Sequence, residues 1–194
     1  SSKQIKASGN AIITELVQQT SLVKSLAESL AAVVSSTPYS DILYHQLLPK
    51  LISIDNSNAL VAGGGIWPEP NILDPNKHRN SYFWGKNSQG QFDFYNDYNL
   101  DSGKGYHNEE WYVPAKYLTD ESCYWSRSYI DPFSKEPMVT CTVPILKQNQ
   151  YTGAATIDMK LEGLHDFLNK QSKNIGGLTG ATEEHVEVSL MLAF

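Results

Sequence analysis

The chain has 194 residues, a net charge of −6, 41% hydrophobic residues and only 19% charged ones. That is one domain, or one domain with an appendage, with enough apolar material for a core and too little charge for wholesale disorder. The acidic balance argues against a nucleic-acid-binding face and favours cationic over anionic ligands.

No apolar run is long enough to span a bilayer, and no signal peptide precedes the first element. The chain opens on Ser1-Ser2 without an initiator methionine and is expected to be a piece of a longer protein. Residues 3 to about 36 carry Ile12, Ile13, Leu16, Val17, Val23, Leu26, Leu30, Val33 and Val34 at near-helical spacing. Thr37-Pro38 ends the run, because proline disfavours helix at the residue before it. At 1.5 Å per residue the helix is ~50 Å long, more than one small sheet can cover, so it is expected to pair with a second copy. A second helix is predicted over Asp41 to Leu51, capped by Asp41.

Ala59 to Trp67 reads as a strand, and its Gly63-Gly64-Gly65 run marks a bulge or close backbone approach. The run matches no dinucleotide or phosphate loop. After the proline-rich loop 68–80, strand edges are predicted at Ser81 to Gly85 and Phe92 to Tyr98, where Asp97 and Tyr98 are candidates for a pocket lid. A short helix is predicted from Glu109 to Leu118 with Asn108 as its cap and its glutamates in the first turn.

Tyr124 to Ile130 and Met138 to Ile145 form the clearest hairpin, joined through Asp131-Pro132. Thr152 to Met159 is a further strand, Leu161 to Asn169 a helix, and Val186 to Phe194 an unpartnered strand. The cysteines, Cys123 and Cys141, lack zinc spacing. They could be buried apolar residues or a cross-strand disulfide. A hairpin centred near Ser134 puts Cys141 opposite Arg127, which predicts free thiols.

The region from Tyr106 to Asp158 concentrates rings and carboxylates without a nucleophile–base pair, and the five histidines are scattered through the chain. Catalysis, a metal and a cofactor are therefore not expected. Trp111, Tyr112, Trp125 and Tyr129 are candidates for aromatic walls as well as for core, with Tyr106 beside them. Asp158 ends an apolar strand, where a buried carboxylate is costly unless a cation satisfies it. Asp131 could serve the turn or a ligand, and Glu109 could serve the helix start or a ligand.

The order of elements resembles the extracytoplasmic Cache sensor domains, the PAS-like modules of bacterial chemoreceptors, histidine kinases and diguanylate cyclases. The resemblance rests on Trp111-Tyr112-x-x-Ala115, Tyr124-Trp125-Ser126, Tyr129-x-Asp131-Pro132, Pro137-Met138-Val139-Thr140 and Gly153-x-x-Thr156-Ile157-Asp158, and covers roughly residues 3 to 170. It implies an α+β fold: a PAS-like antiparallel sheet of about five strands beside a long N-terminal helix. It divides the chain into a dimerisation helix (1–36), a ligand-binding module (37–170), and a linker with a truncated second module or an appended tail (171–194). It also implies a periplasmic location, with membrane anchors outside this sequence and a cytoplasmic output domain.

In amino-acid-binding members, an arginine two residues before the Trp-Tyr pair grips the ligand carboxylate, and the strand-end aspartate holds the amino group. Here the arginine's place is taken by Glu109, and the aspartate is Asp158. The expected ligand is a small amine, bound between Trp111-Tyr112 and the hairpin. Strand alternation puts Arg127 on the same face as Trp125 and Tyr129, and a carboxylate ligand is the rival if that face is the pocket side. A ligand-free module that only sets dimer geometry is the further alternative.

Overall fold

The computed structural model describes residues 2–54, 60–118, 122–162 and 169. Helix α1 (Ser2–Ser36) runs unbroken for 35 residues. Its buried Leu16, Val23, Leu26, Ala27, Leu30, Ala31 and Val34 fall on one stripe. The stripe lies on the two longest strands of the sheet. A fully buried Leu or Val contributes about 1.5–3 kcal/mol, so this face holds the helix down. The helix stops where the Thr37 N–H and hydroxyl both donate to the Val33 carbonyl, just before Pro38.

Helix α2 (Asp41–Ile52) is capped by Ser40, whose hydroxyl accepts from the Leu43 N–H at 3.2 Å. The cap is thus one residue earlier than expected, and Asp41 instead accepts from the Tyr82 hydroxyl at 2.6 Å.

Seven antiparallel strands follow: β1 (Val61–Pro68), β2 (Tyr82–Lys86), β3 (Phe92–Tyr95), β4 (Tyr124–Trp125), β5 (Tyr129–Ile130), β6 (Pro137–Lys147) and β7 (Gln150–Lys160). Their order is β3-β2-β1-β7-β6-β4, with β5 also pairing β6. Five of the strands are of ordinary length, and β4 and β5 are two residues each. Alternation sorts the sheet into two faces. Ile66, Trp84, Val139, Cys141, Val143, Ile157 and Met159 pack with Leu30 of α1 and Leu48 of α2. On the other face, Trp67, Phe83 and Ala154 pack with Tyr106, Tyr112 and Ala115 from the covering loops.

Three local expectations are corrected. Tyr124 to Ile130 is not one strand. β4 pairs Trp125 with Cys141, whereas β5 pairs Tyr129 with Met138, a shift of one residue. Ser126 absorbs it: its N–H donates to the Thr140 carbonyl and its hydroxyl accepts from the Thr140 N–H, both at 2.9 Å. A one-residue shift moves side chains to the opposite face.

The same register overturns the free thiols. Cys141 lies opposite Trp125 rather than Arg127, and Cys123 is bridged to it with their Cα atoms 5.7 Å apart. The helix expected from Glu109 to Leu118 is instead a turn over 109–112 followed by a short 3-10 helix, Val113–Tyr117, and another 3-10 helix, Tyr106–Asn108, precedes them. Asn108 caps nothing there and donates to the Lys104 carbonyl at 2.6 Å. Most of the helix expected over Leu161–Asn169, and all of residues 171–194 with the strand Val186–Phe194, lie outside the described residues. Among the described residues, no helix is long and apolar enough to cross a membrane.

Candidate ligand-binding site

The sheet face turned away from α1 carries a cavity of about 260 Å³. Its floor is three neighbouring strands. Asp158 on β7 stands between Gly63 of β1 and Thr140 of β6, its cross-strand partners, with Thr156 two residues away on the same face. Gly63 leaves the space open: a Cβ there would lie 3.0 Å from Asp158 Oδ2 and 2.9 Å from the Trp84 carbonyl. Trp67 of β1, Phe83 of β2 and Tyr98 from the turn after β3 form one wall, and Trp111 and Glu109 another. Tyr129, Asp131 and Pro132 close the hairpin side.

The rings hold one another in tilted and edge-on arrangements. Trp67 lies 4.6 Å from Trp111 and 4.9 Å from Tyr98 between centroids, and Phe83 lies 5.6 Å from Tyr98. The Trp67 indole N–H donates to the Thr156 hydroxyl at 2.8 Å, which fixes the plane of the ring.

At the floor the Thr140 hydroxyl donates to Asp158 Oδ1 at 2.7 Å. Its single hydrogen is then spent, so the Tyr129 hydroxyl, 2.8 Å away, must donate into Thr140. Asp158 is 7% exposed. Burial first, and then the nearby Asp131 charge, raise its carboxyl from the ordinary 3.8 to about 6 against the hydrogen bond from Thr140. Asp131 is itself buried, and its Oδ2 accepts from the Ser134 N–H at 2.6 Å. Burial and the charges of Asp158, Asp131 and Glu109 push the Tyr98 hydroxyl up. Among the described residues no basic side chain pairs with Asp158 or Asp131, and none lines the cavity.

Of the residues singled out in the sequence, Trp111, Glu109, Tyr129, Asp131 and Asp158 meet around this cavity, and Tyr98 joins them from the expected lid. Asp97 of the expected lid does not line the cavity, and four further candidates lie elsewhere. Tyr112 is fully buried behind the wall, donating to Glu69, which also holds Lys116 at 2.8 Å. Burial pushes the Glu69 carboxyl up, but the hydrogen bonds from Lys116 and Tyr112 outweigh it and hold it below the ordinary range. Tyr106 is also buried and donates to the Pro68 carbonyl at 2.7 Å. These two tyrosines support the wall rather than forming it. Trp125 packs against the helix-side core, because the shift between β4 and β5 separates it from Tyr129. Arg127 lies in the shifted segment, exposed, with Nε 3.8 Å from Glu110. It does not line this cavity.

Trp67, Phe83, Thr140, Thr156 and Pro132 were missed. Parity alone could have found some of them. Trp67 shares a face with Gly63, and Thr156 with Asp158. Thr140 and Thr142 are polar positions alternating with Val139, Cys141 and Val143.

A larger groove of about 500 Å³ passes Asp41, Arg79 and Asn99 on the rim. Two of its charged groups are already engaged: Asp41 with Tyr82, and Arg79 with the carbonyls of Leu100, Ser102 and Gly103.

Residues 46–166 match the family model described as methyl-accepting chemotaxis protein-like, first PDC sensor domain. The chain belongs to this PDC sensor family. The PDC domain is thus a ligand-binding module and not a catalytic one. No curated protein matches it.

Among the solved structures that share its fold are three receptor sensor domains. One is the extracellular domain of soHK1S-Z6, assigned as a histidine kinase, with TM-score 0.64, 22% identity, and 81% of this chain and 59% of that one covered. Another is the ligand-binding domain of the Pseudomonas aeruginosa PAO1 amino-acid chemoreceptor PctC in complex with GABA, with TM-score 0.59, 16% identity and coverage of 88% and 65%. The third is the ligand-binding domain of the Campylobacter jejuni chemoreceptor Tlp3 with L-norvaline, with TM-score 0.57, 14% identity and coverage of 88% and 64%. The PDC domain spans about three fifths of the length of the structures it matches.

Proposed function

We propose that this PDC domain is the extracytoplasmic input module of a membrane receptor and binds a small amine, with the ammonium on Asp158 and the carbon skeleton against Trp67, Trp111, Phe83 and Tyr98. The observation that carries the reading is a buried carboxylate facing a cavity with no basic side chain in its lining. A bound ammonium would supply the missing counter-charge, and each ring contact adds ~0.5–2 kcal/mol by cation–π attraction. GABA and L-norvaline, the ligands named with PctC and Tlp3, both carry an amino group. They also carry a carboxylate, for which the lining here offers no basic partner.

Occupancy is relayed through the sheet. Asp158 and Thr140 sit on the strands whose opposite face supports α1, so a change in their spacing tilts that helix. α1 pairs with its counterpart in a second copy and passes the change to an output domain of the kinase, cyclase or chemoreceptor type.

Calorimetry with amines, amino acids and dicarboxylates tests the reading. An amine that binds the wild-type domain should lose ~1.5–3 kcal/mol in Asp158→Asn, the contribution of a hydrogen bond to a charged group. Equal affinity in both proteins, or binding of dicarboxylates alone, would end the amine reading.

A further inference from the structure

We infer that Arg79, which does not line the cavity, is a positioning residue of the ligand site: it holds the stretch of chain that joins two of the cavity's walls. This rests on the amine reading above for its ligand and goes further, to a residue that sets the shape of the site from outside it.

Tyr98 belongs to one wall, and Glu109 and Trp111 form another. Residues 99–108 connect them without lining the cavity. This connection is tied to Arg79, Asn80 and Ser81, the three residues just before β2. Ser81 holds its start. The Ser81 N–H and hydroxyl donate to Asn99 Oδ1 at 2.6 and 2.8 Å, and Asn99 Nδ2 donates back to the Ser81 carbonyl at 2.9 Å. Asn80 holds a later point, its N–H donating to the Tyr106 hydroxyl at 3.3 Å. Arg79 holds the middle. Its guanidinium donates to the Leu100 carbonyl, to the Ser102 carbonyl at 2.8 Å and to the Gly103 carbonyl at 3.0 Å.

Three carbonyls of one loop meeting one side chain call for a planar fork of donors, which arginine has and lysine lacks. Gly105 lets the chain close over that fork. Its φ is +80°, and a Cβ there would lie 2.9 Å from Arg79 Nε and 3.0 Å from Cζ. The bonds of Arg79 lie at the surface, where a segment opens at less cost than the whole fold. Releasing them frees the connection between the two walls and leaves the sheet intact. Charge alone predicts the opposite result. Arg79 is a cation, and removing it from a domain that binds an amine strengthens the binding by Coulomb's law. A weakening therefore reports position and not charge.

The test compares wild type with Arg79→Gln, Arg79→Lys, Asn99→Ala and, as a charge control, Lys77→Gln, an exposed neighbour. Calorimetry with one amine that binds wild type is paired with amide hydrogen exchange. Arg79→Gln should bind that amine about tenfold more weakly, the loss expected when the walls are in place about a tenth of the time. Asn99→Ala should weaken it as well, although no charge changes, and Arg79→Lys should recover only part of the loss. Lys77→Gln should not weaken it. In ligand-free Arg79→Gln, exchange should speed up across 99–108 while β6 and β7 stay protected, and saturating amine should slow it again. Wild-type affinity in Arg79→Gln, or an equal loss in Lys77→Gln, would overturn the inference and leave the amine reading standing. A loss of affinity accompanied by lost protection throughout β6 and β7 would show a purely structural role and would overturn it too. If no amine binds wild type, the amine reading falls and exchange alone decides. Faster exchange confined to 99–108 keeps Arg79 as the residue that positions the walls, and unchanged exchange there overturns it.

Discussion

Asp158 sets the acid–base behaviour of the site. Its carboxyl titrates near 6 in the fold against an ordinary 3.8, so the native state holds this proton more tightly than the unfolded chain. Stability from this group is therefore fully present below about pH 4 and is lost as pH rises to about 6. The fall is about 3 kcal/mol, since each tenfold gain in proton affinity is worth about 1.36 kcal/mol. Urea unfolding of the ligand-free domain across this window should show the fall in wild type and not in Asp158→Asn. Identical profiles in the two proteins would contradict the burial argument. Glu69, held low by Lys116 and Tyr112, contributes with the opposite sign, so the wild-type-minus-variant difference is the quantity to read. Asp158 was legible in the sequence because a carboxylate at the end of an apolar strand needs a partner. The Thr140–Tyr129 chain behind it was not legible, because Thr140 meets Asp158 through the β6–β7 register and Tyr129 reaches Thr140 through the β5–β6 register.

At the scale of elements, β1 and the hairpin decide which residues reach the cavity. A Cβ on Gly65 would lie 2.1 Å from the Tyr82 carbonyl oxygen, a backbone atom that cannot step aside. Gly65→Ala should cost about 1–3 kcal/mol or more, as overpacking does, measured by chemical denaturation. Gly63→Ala presses on the Asp158 and Phe83 side chains and should weaken amine binding beyond its effect on stability.

The disulfide closes a loop of sequence separation 18 on the helix-side face, away from the cavity. Replacing both cysteines by serine should cost about 3 kcal/mol of stability, the amount expected for a loop of this size. Ligand affinity should survive. Loss of affinity in a variant still folded at the assay temperature would show that the bridge shapes the site. The hairpin also shows where sequence reading failed. Turn residues around Pro132 announced it, but nothing in Ser126-Arg127-Ser128 announced a shift of one residue. That shift sends Trp125 to the core, Arg127 to solvent and Tyr129 to the cavity.

At the scale of the molecule, the helical stripe, the alternating strands and the Trp-Tyr and Ile-Asp patterns made the α+β sensor fold readable, because each is a local pattern with one way to bury its apolar side. The covering loops were less readable. Tyr106 and Tyr112 are anchored by the Pro68 carbonyl and by Glu69, which are distant in sequence.

The same helix leaves Ile5, Ile13 and Val17 at 55%, 60% and 51% exposure along one side. A second copy would cover them. Sedimentation should show concentration-dependent dimers that Ile13→Asp with Val17→Asp abolishes, and a strict monomer at high concentration would count against the pairing.

The central claim is that a cation binds on Asp158. It is tested most directly by calorimetry of one binding amine at pH 6, repeated in buffers of different ionisation enthalpy. A cation placed on a carboxylate that is half protonated near this pH should release about half a proton per amine bound. The release should fade by pH 8 and be absent in Asp158→Asn. Binding without proton release at pH 6, or with the same release in wild type and Asp158→Asn, would contradict the placement of the ligand's charge on Asp158.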